Sequence, residues 1–167
     1  MDILNIKLEL TDTRAELLAL IHGLNKAQIN KKRSDDRWSI GQICEHLAKT
    51  EETYVYVIRK GISRAEDSTI EAGSLNVMLD RSKKWQAPDI VVPSSDIFDH
   101  DDLVSMLNHS RKKLFELLDS LDDPTILSKR HFSHPVFQDL LLIEWIKSIP
   151  LHEKRHMEQI KEELQDV

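Results

Sequence analysis

The chain has 167 residues, enough to bury a full core within one domain spanning residues 1–167. Apolar residues make up 40% and charged residues 31%, and 23 Lys and Arg against 29 Asp and Glu leave a net charge of −6, with no basic run able to track a phosphate backbone, so nucleic acid is not the expected partner. The opening "MDILNIKLEL" lacks a signal peptide's basic and apolar regions, nothing approaches ~18 uninterrupted apolar residues, and the single Cys44 suits a reducing compartment, so a cytoplasmic protein without a membrane span is expected.

Four long helical patterns are predicted, and no strand alternation. The first runs from about Ile3 to Leu24, with Leu10, Leu17, Ile21 and Leu24 on one face, and "NKAQI" adds a short turn of helix. The second opens at "RWSIGQICEHL". Ser39 caps it, Gln42 three residues on completes a capping box, and Trp38 can staple onto Ile43. It should continue through Tyr54 and Ile58 to Gly61.

About forty residues follow that hold most of the Pro and Gly. "LNVMLDRSKKW" suggests a short helix, and Trp85, Ile90, Val91 and Val92 make the rest an ordered crossover, not a disordered linker. The third helix, about Asp101 to Leu121, carries Leu103, Leu107, Leu114, Leu118 and Leu121 at helical spacing and is stopped by Asp122-Asp123-Pro124. The fourth, about Leu140 to Leu164, contains Pro150, where a kink is expected. One long connection between the second and third helices makes this an all-α four-helix bundle with a crossover.

The fourth helix contains His152-Glu153-Lys154-Arg155-His156, which fits H-E-x-x-H, the string in which two imidazoles one turn apart hold zinc and the Glu acts as base. In proteases of that type a third ligand lies downstream. The eleven residues after His156 hold no histidine and no glycine, and Glu162 and Glu163 lie about two turns along the same helix, too far to close on one ion. A third ligand must therefore come from upstream, and a protease is not expected. By helix phase, His152 and His156 flank the apolar arc of Leu142, Trp145, Ile146, Ile149, Met157 and Ile160, so each needs either a hydrogen-bond partner or a metal. His46 lies at the edge of the second helix's core face, where a structural role and a ligand role both stand open. His22 and His109 face away from the apolar stripes, and His100, His131 and His134 fall in connections, the last two near enough to the fourth helix to line a site mouth. Glu153 points into the apolar arc. It can orient a ligand histidine, form a salt bridge to another helix or, less naturally, act as a catalytic base.

"RWSIGQICEHL" together with "HEKRHMEQI", and "KKWQAPDIVVP" ahead of the third helix, resemble the DinB/YfiT-like superfamily of metal-dependent enzymes over nearly the whole chain. The resemblance implies an up-down-down-up bundle that is often a homodimer. It also implies zinc or nickel, with manganese or iron as alternatives, on His46, His152 and His156. Some relatives are S-transferases or isomerases that use a low-molecular-weight thiol such as bacillithiol or mycothiol. Thiol transfer to a small electrophile is the leading expectation. Metal-dependent hydrolysis of a small substrate and a non-catalytic dimeric bundle are the alternatives.

Overall fold

The computed structural model describes residues 3–64 and 66–165. Helix α1 covers Ile3–Ile21 and stops two residues before Gly23, whose φ of 75° sends the chain into the left-handed region that ends helices. Helix α2, Lys26–Asn30, begins at an Asn25/Gln28 capping box. Helix α3, Ile40–Ile62, opens as predicted: the Ser39 hydroxyl accepts from the Gln42 N–H at 3.2 Å, and the Gln42 side chain accepts from the Ser39 N–H at 3.2 Å. Helix α4 spans His100–Asp119. Helix α5 runs without interruption from Leu142 to Leu164 across Pro150, which keeps His152 and His156 on one helix.

Two stretches differ from expectation. "LNVMLDRSKKW" forms only a single 3-10 turn, Asn76–Leu79. The connection before α5, read as free of strands, is a hairpin of β1 (His131–His134) and β2 (Gln138–Leu141), antiparallel with His131 opposite Leu141 and His134 opposite Gln138. No Asn-Gly or Asp-Gly pair announces this turn. Gln138 takes the left-handed conformation, φ 63°, usually left to glycine, and His134 Nδ1 accepts the N–H groups of Val136 and Phe137 at 3.1 and 3.3 Å. A side chain does the work of a turn sequence.

Helix direction follows from which residues share a core. One apolar cluster combines Ile6 and Leu10 of α1, Tyr54 and Ile58 of α3, Leu114 and Leu118 of α4, and Leu142 and Trp145 of α5. The other combines Leu17 and Ile21, Ile40 and Ile43, Leu103 and Leu107, and Met157 and Ile160. The start of α1 thus meets the ends of α3 and α4 and the start of α5. The bundle is up-down-down-up, and the parallel pair α3 and α4 requires the long crossover.

Between the two clusters lies a layer of charge, with one side chain from each long helix: Arg14, Glu51, Arg111 and Glu153, each at most 6% exposed. Arg14 donates to Glu153 at 2.7 Å and Glu51 at 2.6 Å; Arg111 donates to Glu51 at 2.5 Å and Glu153 at 2.9 Å. Thr13 and Ser110 hydroxyls donate to the remaining carboxylate positions at 2.6 and 2.7 Å, and the arginines also reach the Leu107 and Leu10 carbonyls. Burial alone would lower the Arg14 pKa and raise that of Glu51, but the opposite charges outweigh it, so Arg14 is raised and Glu51 lowered.

Two positive and two negative charges cancel, and removing one leaves the others buried and unmatched. Arg111→Ala should therefore cost roughly 3–5 kcal/mol in urea unfolding. Lys113→Ala, which removes the half-buried surface pair with Glu52, should cost less than about 1 kcal/mol.

Candidate metal centre

Helices α3 and α5 bring three imidazoles to one point. His46 Nε2 lies 3.2 Å from His152 Nε2, which lies 3.1 Å from His156 Nε2, and one ligand atom from each residue falls within 4.8 Å of the others. The opposite ring nitrogens of two of them are engaged. His46 Nδ1 donates to the Val91 carbonyl at 2.8 Å, and His156 Nδ1 donates to the Gln159 side-chain oxygen at 2.9 Å. Both tautomers are thereby set, with a lone pair on Nε2 facing the cluster. A single proton on His152 Nε2 can serve one of the two facing lone pairs, whereas a divalent cation serves all three nitrogens. Those two distances suit that role: metal–nitrogen bonds of ~2.0–2.1 Å at angles of roughly 90–110° put neighbouring donors roughly 2.8–3.4 Å apart.

Electrostatics point the same way. Burial lowers the pKa of His46, takes that of His152 well below the ordinary value, and takes that of His156 to about 3, with neighbouring imidazoles adding to the shifts of His152 and His156. Neutral imidazole is the form that binds a metal.

The cluster opens into a cavity of about 850 Å³ whose walls include all three tryptophans, Trp38, Trp85 and Trp145. Trp38, just ahead of α3, lays its ring 4.9 Å from that of His46. The crossover closes the far side. Ser94 is tied to α3 through Gln42 and Glu45 at 2.8 and 2.6 Å. Arg155, between the two α5 histidines, donates to the carbonyls of Met78, Asp80 and Lys83 and sits 4.8 Å over the Trp85 ring.

His134 also lines the cavity, in a proton arrangement that its neighbours dictate. Because Nδ1 accepts two backbone N–H groups, Nε2 carries the proton and donates to the Tyr54 hydroxyl at 3.0 Å. Nearby, the Ser148 hydroxyl donates to the Trp145 carbonyl at 2.7 Å. Burial takes His134 down to about 4 and Tyr54 up to about 12, so both stay neutral across the physiological range.

Glu153 does not face the cluster. Both its oxygens are taken by Thr13, Arg14 and Arg111, which is the salt-bridge alternative among its readings and leaves it neither a tether for a ligand histidine nor a base. A zinc-protease mechanism thus lacks its carboxylate. His22 and His109 are exposed, His100 begins α4, and His131 bonds to Ser68 at 2.9 Å outside the cavity.

The model of the DinB superfamily matches residues 9–160. The chain belongs to the DinB superfamily. It is 32% identical over 151 residues to the uncharacterized protein YuaE of Bacillus subtilis (strain 168), covering 90% of this chain and 92% of that one. It is also similar to the solved structure of TT2238, a four-helix bundle protein, with a TM-score of 0.63 at 19% identity, covering 94% of this chain and 96% of that one, a likeness of fold. A DinB-superfamily bundle with three histidines able to hold a metal ion is therefore what the sequence encodes.

Sequence reasoning missed the supporting residues. Val91 acts through its carbonyl, which no side-chain pattern reveals. Gln159 was legible in principle, since it stands three residues past His156 on the same helix. For the DinB site, His46→Ala, His152→Ala and His156→Ala should each lose bound metal while the helical circular dichroism is kept. Gln159→Ala should weaken metal affinity by roughly 10–100-fold, read by chelator competition.

His134 gives a pH prediction with a definite sign. Its folded pKa, about 4, lies below the ordinary 6.5, so its contribution to stability is complete above about pH 6.5 and is lost as pH falls towards 4. Melting temperatures measured across that window should fall more steeply in the native protein than in His134→Gln.

Proposed function

We propose that this protein is a metal-dependent enzyme of the thiol S-transferase type, joining a low-molecular-weight thiol of the bacillithiol kind to a small electrophile. The observation that carries the reading is the convergence of three neutral imidazole nitrogens on one side of a large, partly aromatic cavity. Zinc or nickel is the metal we assign, because imidazole donors suit both. A homodimer, on the strength of the resemblance, and a cytoplasmic location, on the single Cys44, complete the proposal.

A divalent cation on three uncharged ligands keeps its full charge and lowers the pKa of a thiol or water brought to it. The chain's own residues do the rest. Val91 and Gln159 hold two rings in the donor tautomer. Trp38, Trp145 and Phe137 offer apolar surface for an electrophile and keep water from the reacting sulfur. Tyr54 and His134 are committed to each other and burial keeps both neutral, so neither takes the thiol proton; it passes to buffer. The sulfur then forms a bond to the electrophilic carbon, and the leaving group departs with its electron pair.

The test is conjugation of several cellular thiols to a chlorodinitrobenzene, with chloride as the leaving group. A thiol of pKa ~8.5 is about 3% ionised at pH 7, so ionisation alone allows up to roughly a thirtyfold gain, shrinking as pH approaches 8.5. Cys44 is fully buried and its pKa is pushed up to about 12, so Cys44→Ala should keep the activity. If no thiol reacts faster with metal-loaded protein than with metal-free protein or His152→Ala, hydrolysis of a small substrate or a structural metal replaces transfer. Unfolded casein should stay intact throughout, as the engaged Glu153 requires.

A further inference from the structure

The charge around the cavity runs against that of the chain. The protein carries a net −6, yet its cavity wall holds the cations Arg37, Arg81, Lys84 and Arg155 against the carboxylates Asp36 and Glu162. Glu162 is shared: it accepts from Arg37 at 2.8 Å and from Arg81 at 2.5 Å, so one carboxylate faces two guanidiniums. Counting Glu163, which accepts from Arg37 at 2.7 Å, and Asp80, which lies near both Arg155 and Lys83, sets four carboxylates against five cations.

Lys84 holds that excess. Arg155 spends its donors on three carbonyls, which orient it, and Asp80 is near enough to feel its charge. Lys84 is exposed at the mouth and, among the described residues, makes no ion pair; Asp36 is near enough to feel its charge. A concave site with one sign of charge and low-dielectric walls concentrates ions of the opposite sign. Ile90 and Val136 form an apolar part of the same rim.

We infer that the ligand of this cavity carries an anionic group, a carboxylate or phosphate, that docks against Lys84 and Arg81 at the mouth while its reacting end reaches the three histidines. The inference rests on the metal–thiol reading and names the substrate class for that site. Lys84 and Arg81 then determine specificity without touching the reacting atoms.

The test uses zinc-loaded full-length protein and three probes of equal length: mercaptohexanoate, mercaptohexanol and mercaptohexylamine, each with a terminal thiol. They differ only in the head group at the far end, which is anionic, neutral or cationic, and a six-carbon chain disfavours chelation of one ion by both ends. Calorimetric titration should rank hexanoate tightest and hexylamine weakest, with hexanoate about three- to tenfold above hexanol. The gap should narrow as salt rises from ~0.05 to ~0.5 M, and it should close in Lys84→Glu, whose affinity for mercaptohexanol and whose zinc content stay unchanged. Equal affinities for hexanoate and hexanol overturn the inference while leaving thiol binding intact. A hexanoate preference that survives Lys84→Glu and high salt also overturns it, since the carboxylate then sits elsewhere. If no probe binds the zinc-loaded protein better than His152→Ala, the thiol reading itself fails and the inference falls with it.

Discussion

The bundle turns on the buried charge layer of Arg14, Glu51, Arg111 and Glu153, to which each long helix contributes one residue. Moving four charges out of water is costly, and their mutual attraction at 2.5–2.9 Å does little more than offset that cost. The layer's leverage lies in its asymmetry. A slip or rotation of any one helix leaves a charge buried without a partner, so alternatives that an apolar core would tolerate become expensive. The layer also separates two apolar clusters that are otherwise similar in kind, which fixes the register between helices.

That constraint reaches the metal centre through helix phase. With Glu153 held inward, and ~100° per residue, His152 and His156 fall roughly 100° and 60° to the same side of α5. Trp145 and Gln159 fall on that side too, and all four line the cavity. Glu153 therefore serves the cluster by orienting the helix that carries two of its three histidines. The H-E-x-x-H string is chemically divided here: its histidines face the cavity and its carboxylate faces the core.

Topology supplies the other half. Two parallel neighbours cannot be joined by a tight turn, so the chain must travel the length of the bundle between α3 and α4. That obligatory crossover furnishes the Val91 carbonyl that orients His46, the Trp85 ring under Arg155, and Lys84 and Arg81 at the mouth. The segment with the least regular structure thus carries much of the cavity's chemical character.

From sequence alone, the helix starts, the bundle class, the crossover and three inward-edge histidines were legible. Capping chemistry and a 3.6-residue apolar period are local, and local patterns survive in one dimension. The charge layer was half legible. Arg14 stands between Leu10 and Leu17, Arg111 between Leu107 and Leu114, and Glu51 between Leu47 and Tyr54, each a charge in an apolar row, but which charges meet depends on the packing of four helices. The hairpin was hidden, because its turn is held by the His134 ring and a left-handed Gln138 where a glycine signal would be expected. Only the tertiary structure could decide which way Glu153 points in function, which carbonyl sets the tautomer of His46, and which cations share one cavity mouth. Each of those is a meeting between residues tens of positions apart, and no periodicity within a single helix encodes it.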